Sequence, residues 1–190
     1  MSASKTILSN FLRRFRVAED GEAAIGFGLV LPVLVLICLS ILEFSLIVFD
    51  YHRAGEATRR GARAIAISTP IPDPASLLVG GTITCTSVGG AVSCNGAAAI
   101  TPATFDAMLA QMQLILPTIQ AANVQVDYSD IGLGDVTTPG GIIPFITVRL
   151  VNLQHPFLML QGFPGFGPSI SYPPFTTNQV AGGLGSSAGS

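Results

Sequence analysis

Few residues in this chain can do chemistry, and their spacing limits what that chemistry could be. Asp127, Asp130 and Asp135 flank a glycine-rich stretch from Asp130 to Gly141, a placement that invites a Ca2+ reading. The spacing does not match the twelve-residue Ca2+ loop, and acids around a surface turn are ordinary, so no metal is expected. Asp50, His52 and Glu56 lie close together without a nucleophile, and His155 precedes Pro156 in an apolar stretch and reads as structural. The chain has no glycine-rich phosphate loop with its lysine, no H-E-x-x-H and no G-x-S-x-G. No catalytic residue, cofactor or small-molecule substrate is therefore expected. Cys85 and Cys94 enclose a β-prone segment turned by Gly89-Gly90. In an oxidising compartment a disulfide stapling a hairpin is the economical expectation. Free thiols are the alternative, and zinc has little support because both histidines lie far away in sequence.

Composition narrows the class. Of 190 residues 49% are hydrophobic and 11% charged, and the mean hydropathy is +0.60. A chain disordered throughout would show the reverse balance. Nine basic and 11 acidic residues give a formal net charge of -2. All the basic residues except Arg149 lie between Lys5 and Arg63, so the remainder sets five aspartates against one arginine. Nucleic acid needs a basic footprint and is excluded as a partner of that part.

The elements that must position these residues begin with a run of uncharged residues from Ala23 to Leu42. At about 1.5 Å per residue, a helix of that length spans roughly the 30 Å of a bilayer's apolar core. Pro32 removes one backbone donor and predicts a mild kink; Gly26 and Gly28 precede it, and Cys38 reads as a small apolar filler. A simple secretory signal is disfavoured, because the run is too long and Glu43-Phe44 and more apolar residues follow it. Lys5, Arg13, Arg14 and Arg16 precede the run and Arg53, Arg59, Arg60 and Arg63 follow it, so the positive-inside count gives no orientation. The acidic, cysteine-containing remainder favours an outward C-terminus.

Beyond the run, Ile47, Tyr51, Ala54, Thr58, Ala62 and Ile65 recur at helical spacing. Arg53, Glu56, Arg60 and Arg63 occupy another face, with Glu56 placed to pair with Arg60. Small residues from Ala54 to Ala62, Gly61 among them, leave room for a second backbone. A helix ending near Ser68, before Pro70, would run for roughly 68 Å. After an irregular crossing, Thr101-Pro102 opens a predicted helix through Leu116, with Thr101 as its cap and Phe105, Met108, Leu109, Met112 and Leu116 as its apolar face. Val124, Val126 and Tyr128 alternate as in a half-buried strand, Phe145 to Leu153 reads as another, and Phe157 to Leu160 as a further short one. Arg149 predicts an edge position. The proline- and aromatic-rich segments from Phe163 and Tyr172 read as cover for a sheet edge or a partner site, and Ala181 to Ser190 as a disordered tail. The expected fold class is α+β: a long N-terminal helix, half transmembrane and half amphipathic, then a small mixed head with a short antiparallel sheet and one packed helix.

Phe11 to Ala66 resembles the TadE-like, pseudopilin-like proteins of the tight-adherence or Flp pilus system. The residues that carry the likeness are the basic lead FLRRFRVAEDG, Leu29-Val30-Leu31-Pro32, Glu43-Phe44 and Arg60-Gly61-Ala62-Arg63-Ala64. The resemblance implies a minor pilin-like protein of the bacterial inner membrane that assists assembly or stability of an adhesion pilus. Its implied layout is a cytoplasmic basic leader over 1–21, a membrane and extension helix over 22–68, and a periplasmic head over 69–180. Implied partners are membrane lipid, the prepilin peptidase, other minor pilin-like proteins, the major pilin and the assembly platform. Gly21 would be the residue after which the peptidase cuts, leaving Glu22 as the new N-terminus. The family's usual glutamate five residues after the cut is Gly26 here, so the group associated with pairing to a neighbour's amino terminus is missing. Gly26, Pro32, Glu43, Phe44, Arg60, Gly61 and Arg63 are the candidate assembly contacts. Glu43 has two readings: an interfacial carboxylate reaching water, or a partner for a basic group of a neighbouring subunit or platform protein. The alternative function is a membrane-anchored periplasmic interaction module of another envelope complex, without catalytic activity.

Overall fold

The computed structural model describes residues 20–78, 80–134, 141–162, 165 and 167–181. The basic leader before Asp20, Asp135 and the tail beyond Ala181 lie outside the described residues. Helix α1 runs over Asp20–Ala66 with Pro32 inside it. Proline removes a single donor, and the helix continues through it. The structure divides into two units, Met1–Ser45 with Leu158–Phe166, and Leu46–Phe157 with Gly167–Ser190.

The second unit is a mixed α+β head. Its strands are β1 (Thr82–Val88), β2 (Ala91–Cys94), β3 (Val124–Ser129), β4 (Phe145–Leu150), β5 (Gln154–Pro156), β6 (Ser169–Ser171) and β7 (Phe175–Val180). Five form an antiparallel sheet in the order β2-β1-β3-β4-β7, and β5 pairs with β6 separately. The β1–β2 turn is Gly89-Gly90, with φ +62° and +86°. Two successive positive φ values suit a two-residue hairpin turn, which side chains would resist. That turn sets Cys85 directly opposite Cys94, and the two form a disulfide.

One core unites the last turns of α1, the sheet face and α2 (Pro102–Gln113). The small-residue stripe of α1 supplies Ala54, Ala57, Ala62 and Ile65; α2 supplies Phe105, Met108 and Met112; the sheet supplies Cys85, Val126, Tyr128, Ile146, Val148 and Leu150. The helical and alternating patterns in the sequence therefore mark the buried faces from Ala54 onward, whereas Tyr51 of the same stripe is exposed and Ile47 half-buried. Tyr128 is buried with its hydroxyl accepting from the Ile71 N–H at 3.2 Å, and burial pushes its phenol well above the ordinary range.

Several local expectations change. Arg149 lies on an interior strand: Asp127 on β3 meets it at 2.9 Å, so its charge needs no sheet edge. β4 stops at Leu150 because Asn152 takes φ +54°, a left-handed conformation that ends a strand. Thr101 occupies the cap position of α2, but its hydroxyl donates to the Pro70 carbonyl rather than capping the helix. Glu56 pairs with Arg59 at 3.8 Å, not with Arg60, because the Arg60 guanidinium reaches Gln111 on α2 at 3.0 and 3.2 Å. The strand expected at Phe157 to Leu160 lies earlier, at β5, and Leu160–Gly162 is a 3-10 turn.

The Met112 side chain of α2 packs directly on Gly61 of α1. A Cβ there would lie 2.7 Å from the Met112 sulfur and 2.9 Å from its Cγ. Gly61→Val is expected to destabilise the head by about 1–3 kcal/mol through overpacking. Thermal unfolding of the full chain in detergent reads this out as a lower Tm; an unchanged Tm would show that the contact is slack.

Candidate functional site

The first unit contains the residues through which the chain can meet a membrane. Within Ala24–Ala66 lies a stretch long and apolar enough to cross a bilayer, with none of it buried. Ile25, Phe27, Leu29, Val30 and Val33 are all more than half exposed. Gly21 and Gly26 have nothing within 4 Å of a Cβ, and Pro32 is exposed. Backbone donors and acceptors are satisfied within a helix, the one open-chain form that hydrocarbon tolerates. The Glu22 side chain lies outside the described residues.

Glu43 departs from this exposed surface. It is 1% exposed, while its neighbour Phe44 is 67% exposed. One carboxylate oxygen accepts the Leu158 N–H at 2.8 Å and the other accepts the Met159 N–H at 2.9 Å. Two charge-assisted bonds to backbone donors are stronger than neutral ones. They let an acid survive next to an apolar run, where an unmet carboxylate would be costly. Within the single chain the Glu43 carboxylate is thus engaged by its own backbone, a reading that sequence inspection missed. Leu158 lies 115 positions away, and no local signal links the two.

The candidate contacts after Ser45 belong to the head unit and are placed differently. Gly61 is buried under Met112, Arg60 is tied to Gln111, and Arg63 is exposed. Phe44 and Arg63 keep side chains available to a partner, whereas Gly61 faces the chain's own second helix.

The head also has a polar cluster that was not anticipated. Asp50 lies 2.9 Å from the Nδ1 of the buried His155 and 3.9 Å from Arg53. Arg53 lies over the Phe49 ring at 5.4 Å and donates to the Ile115 carbonyl. Tyr172 donates to the Ile47 carbonyl at 3.0 Å, and burial together with the Asp50 charge pushes its phenol up to about 12. Tyr51 packs against Phe175 at 4.9 Å between ring centres. His155 does serve structure, through a partner on the helix that spacing alone could not reveal.

The aspartates that invited a metal have protein partners. Asp127 meets Arg149 and accepts from Thr84 at 2.8 Å. Asp130 accepts the Gly80 and Gly132 N–H groups, each at 2.9 Å, and these bonds hold its carboxyl below the usual range. Among the described residues no group of three or more His, Cys, Asp or Glu side chains is placed to hold a metal ion.

An apolar helix of membrane-crossing length followed by a disulfide-bearing α+β head is compatible with a helix-anchored protein. Residues 21–63 match the model of a family described as TadE-like protein, consistent with a TadE-like protein of the tight-adherence pilus system. The matched span starts at Gly21, leaves out the basic lead and stops at Arg63, before the first strand of the head. No curated protein and no solved structure matches the chain.

Two outcomes follow from these carboxylates. Glu43→Gln offers one neutral acceptor oxygen for two donors, which costs roughly 1–3 kcal/mol locally, so exchange at the Leu158 and Met159 amides should accelerate about tenfold or more. Hydrogen-exchange mass spectrometry of the full chain measures it, and unchanged protection would contradict the assignment. For Asp130 the folded carboxyl titrates below its ordinary 3.8. Its stabilisation is therefore full above about that pH and is lost as pH falls through the lower folded value. Asp130→Asn should lower Tm at neutral pH and shrink the difference from the parent protein in the acid limb below 3.8. A difference that stays constant with pH would rule out this linkage.

Proposed function

We propose that the chain is a minor pilin-like component that assists assembly or stability of a Flp-type adhesion pilus. The observation that carries this reading is the TadE-like match over residues 21–63, which falls on the same helix as the exposed apolar run. In this reading the helix anchors the protein in the inner membrane, with its N-terminus cytoplasmic and its head periplasmic. The Cys85–Cys94 disulfide supports an oxidising compartment for the head. Gly21 is the residue after which the prepilin peptidase cuts, and Glu22 becomes the N-terminus. That position is supported by the exposed Gly21 backbone and by the start of the family match at the same residue. With Gly26 in the fifth place, pairing of a carboxylate there with a neighbouring subunit's amino terminus has no counterpart. Phe44 and Arg63 remain the contacts open to the major pilin, other minor pilin-like proteins or the assembly platform.

Loss of the chain should lower surface pilus output, with recovery on re-expression; full output without it would remove the assembly role. N-terminal sequencing of membrane-derived protein then decides the route. A start at Glu22 only where the peptidase is active is the expected result, and an uncut chain in both backgrounds would make the helix a permanent anchor.

A further inference from the structure

Leu158 and Met159 present an anomaly. The two residues are 61% and 43% exposed, yet their backbone N–H groups are held by a buried carboxylate. Between the short strands β5 and β6, from Phe157 to Pro168, the sequence has no charged residue. Leu158–Phe166 also groups with Met1–Ser45 rather than with the head that supplies both strands. The residue that holds the turn, Glu43, immediately follows the uncharged run Ala23 to Leu42. Leu42 and Phe44 beside it are also exposed.

We infer that the turn Leu158–Gly162 is a second membrane-contacting element, docked at the edge of the bilayer with Leu158 and Met159 in lipid. The inference rests on α1 crossing the membrane. Continuity identifies the occupant: the exposed side chains of the turn adjoin the apolar surface that the helix offers to lipid, at the residue where its uncharged run ends. A backbone entering the bilayer's edge must have its donors satisfied within the protein, and Glu43 does this for both. The 3-10 turn Leu160–Gly162 follows with Leu160 buried, so the turn holds its shape while its leading side chains point outward. Short apolar elements of this kind settle in the boundary between headgroups and acyl chains. The partner is therefore a phospholipid surface.

Single cysteines test this in the full-length protein. Cys38 is replaced by alanine, and Cys85 and Cys94 remain bonded and unlabelled. An environment-sensitive NBD label is placed at Leu158→Cys, Met159→Cys, Val35→Cys within the run, or Ala75→Cys on the exposed turn of the head. Each protein is reconstituted into phosphatidylcholine–phosphatidylglycerol vesicles containing lipids brominated near or far from the headgroup. Label at 158 and 159 should emit to the blue of label at 75 and be quenched most by shallow bromines, at a depth of about 5–10 Å. Label at 35 should be quenched most by deep bromines. If 35 is quenched while 158 and 159 behave like 75, the turn does not touch lipid and the inference falls, while the anchor stands. If 35 also escapes quenching, the anchor reading itself fails.

Discussion

The head depends on how little side chain α1 carries between Ala54 and Ala62. Ala54, Ala57 and Ala62 are fully buried there, and the bare Cα of Gly61 takes the Met112 side chain directly. Met108 and Met112 of α2 fill that low stretch, and flexible thioether chains suit an irregular seam. Ile65, Phe105 and the inward face of β3 and β4 close around them in one core. A bulkier residue in the seam would displace Met112, which belongs to the same buried core as the sheet face.

A second constraint is the shortage of cations. Past Arg63 the chain has one arginine and five aspartates, so most carboxylates cannot be met by ion pairs. Asp127 takes the available arginine and a threonine hydroxyl. Asp130 uses two glycine N–H groups, and Glu43 uses two more backbone donors in its own unit. Backbone donors carry no formal charge, which lets anions be held in regions otherwise too apolar for lysine or arginine.

Much of this layout was legible in the sequence, for a specific reason. α1, the inward face of α2 and the strand at Val126 and Tyr128 are set by periodic burial, and period is a local property. The disulfide was legible because its two cysteines bracket a two-glycine turn. β7 was not: Thr176, Thr177, Asn178 and Gln179 have weak apolar alternation, because the strand lies at the sheet edge and is largely exposed. The Asp50–His155 and Glu43–Leu158 contacts were out of reach because they join positions more than a hundred residues apart.

The seam at Gly61 also bears on oxidant damage. Met112 is fully buried, and its sulfur occupies space that even one added carbon on Gly61 would contest. Conversion to the sulfoxide adds a polar oxygen to that sulfur, and on the Gly61 side the seam has no room for it. Folding therefore shields the thioether, and a molecule oxidised while unfolded would lose the fit between its two helices. Repair by sulfoxide reduction would have to precede folding, because the folded seam hides the sulfur from any reductase.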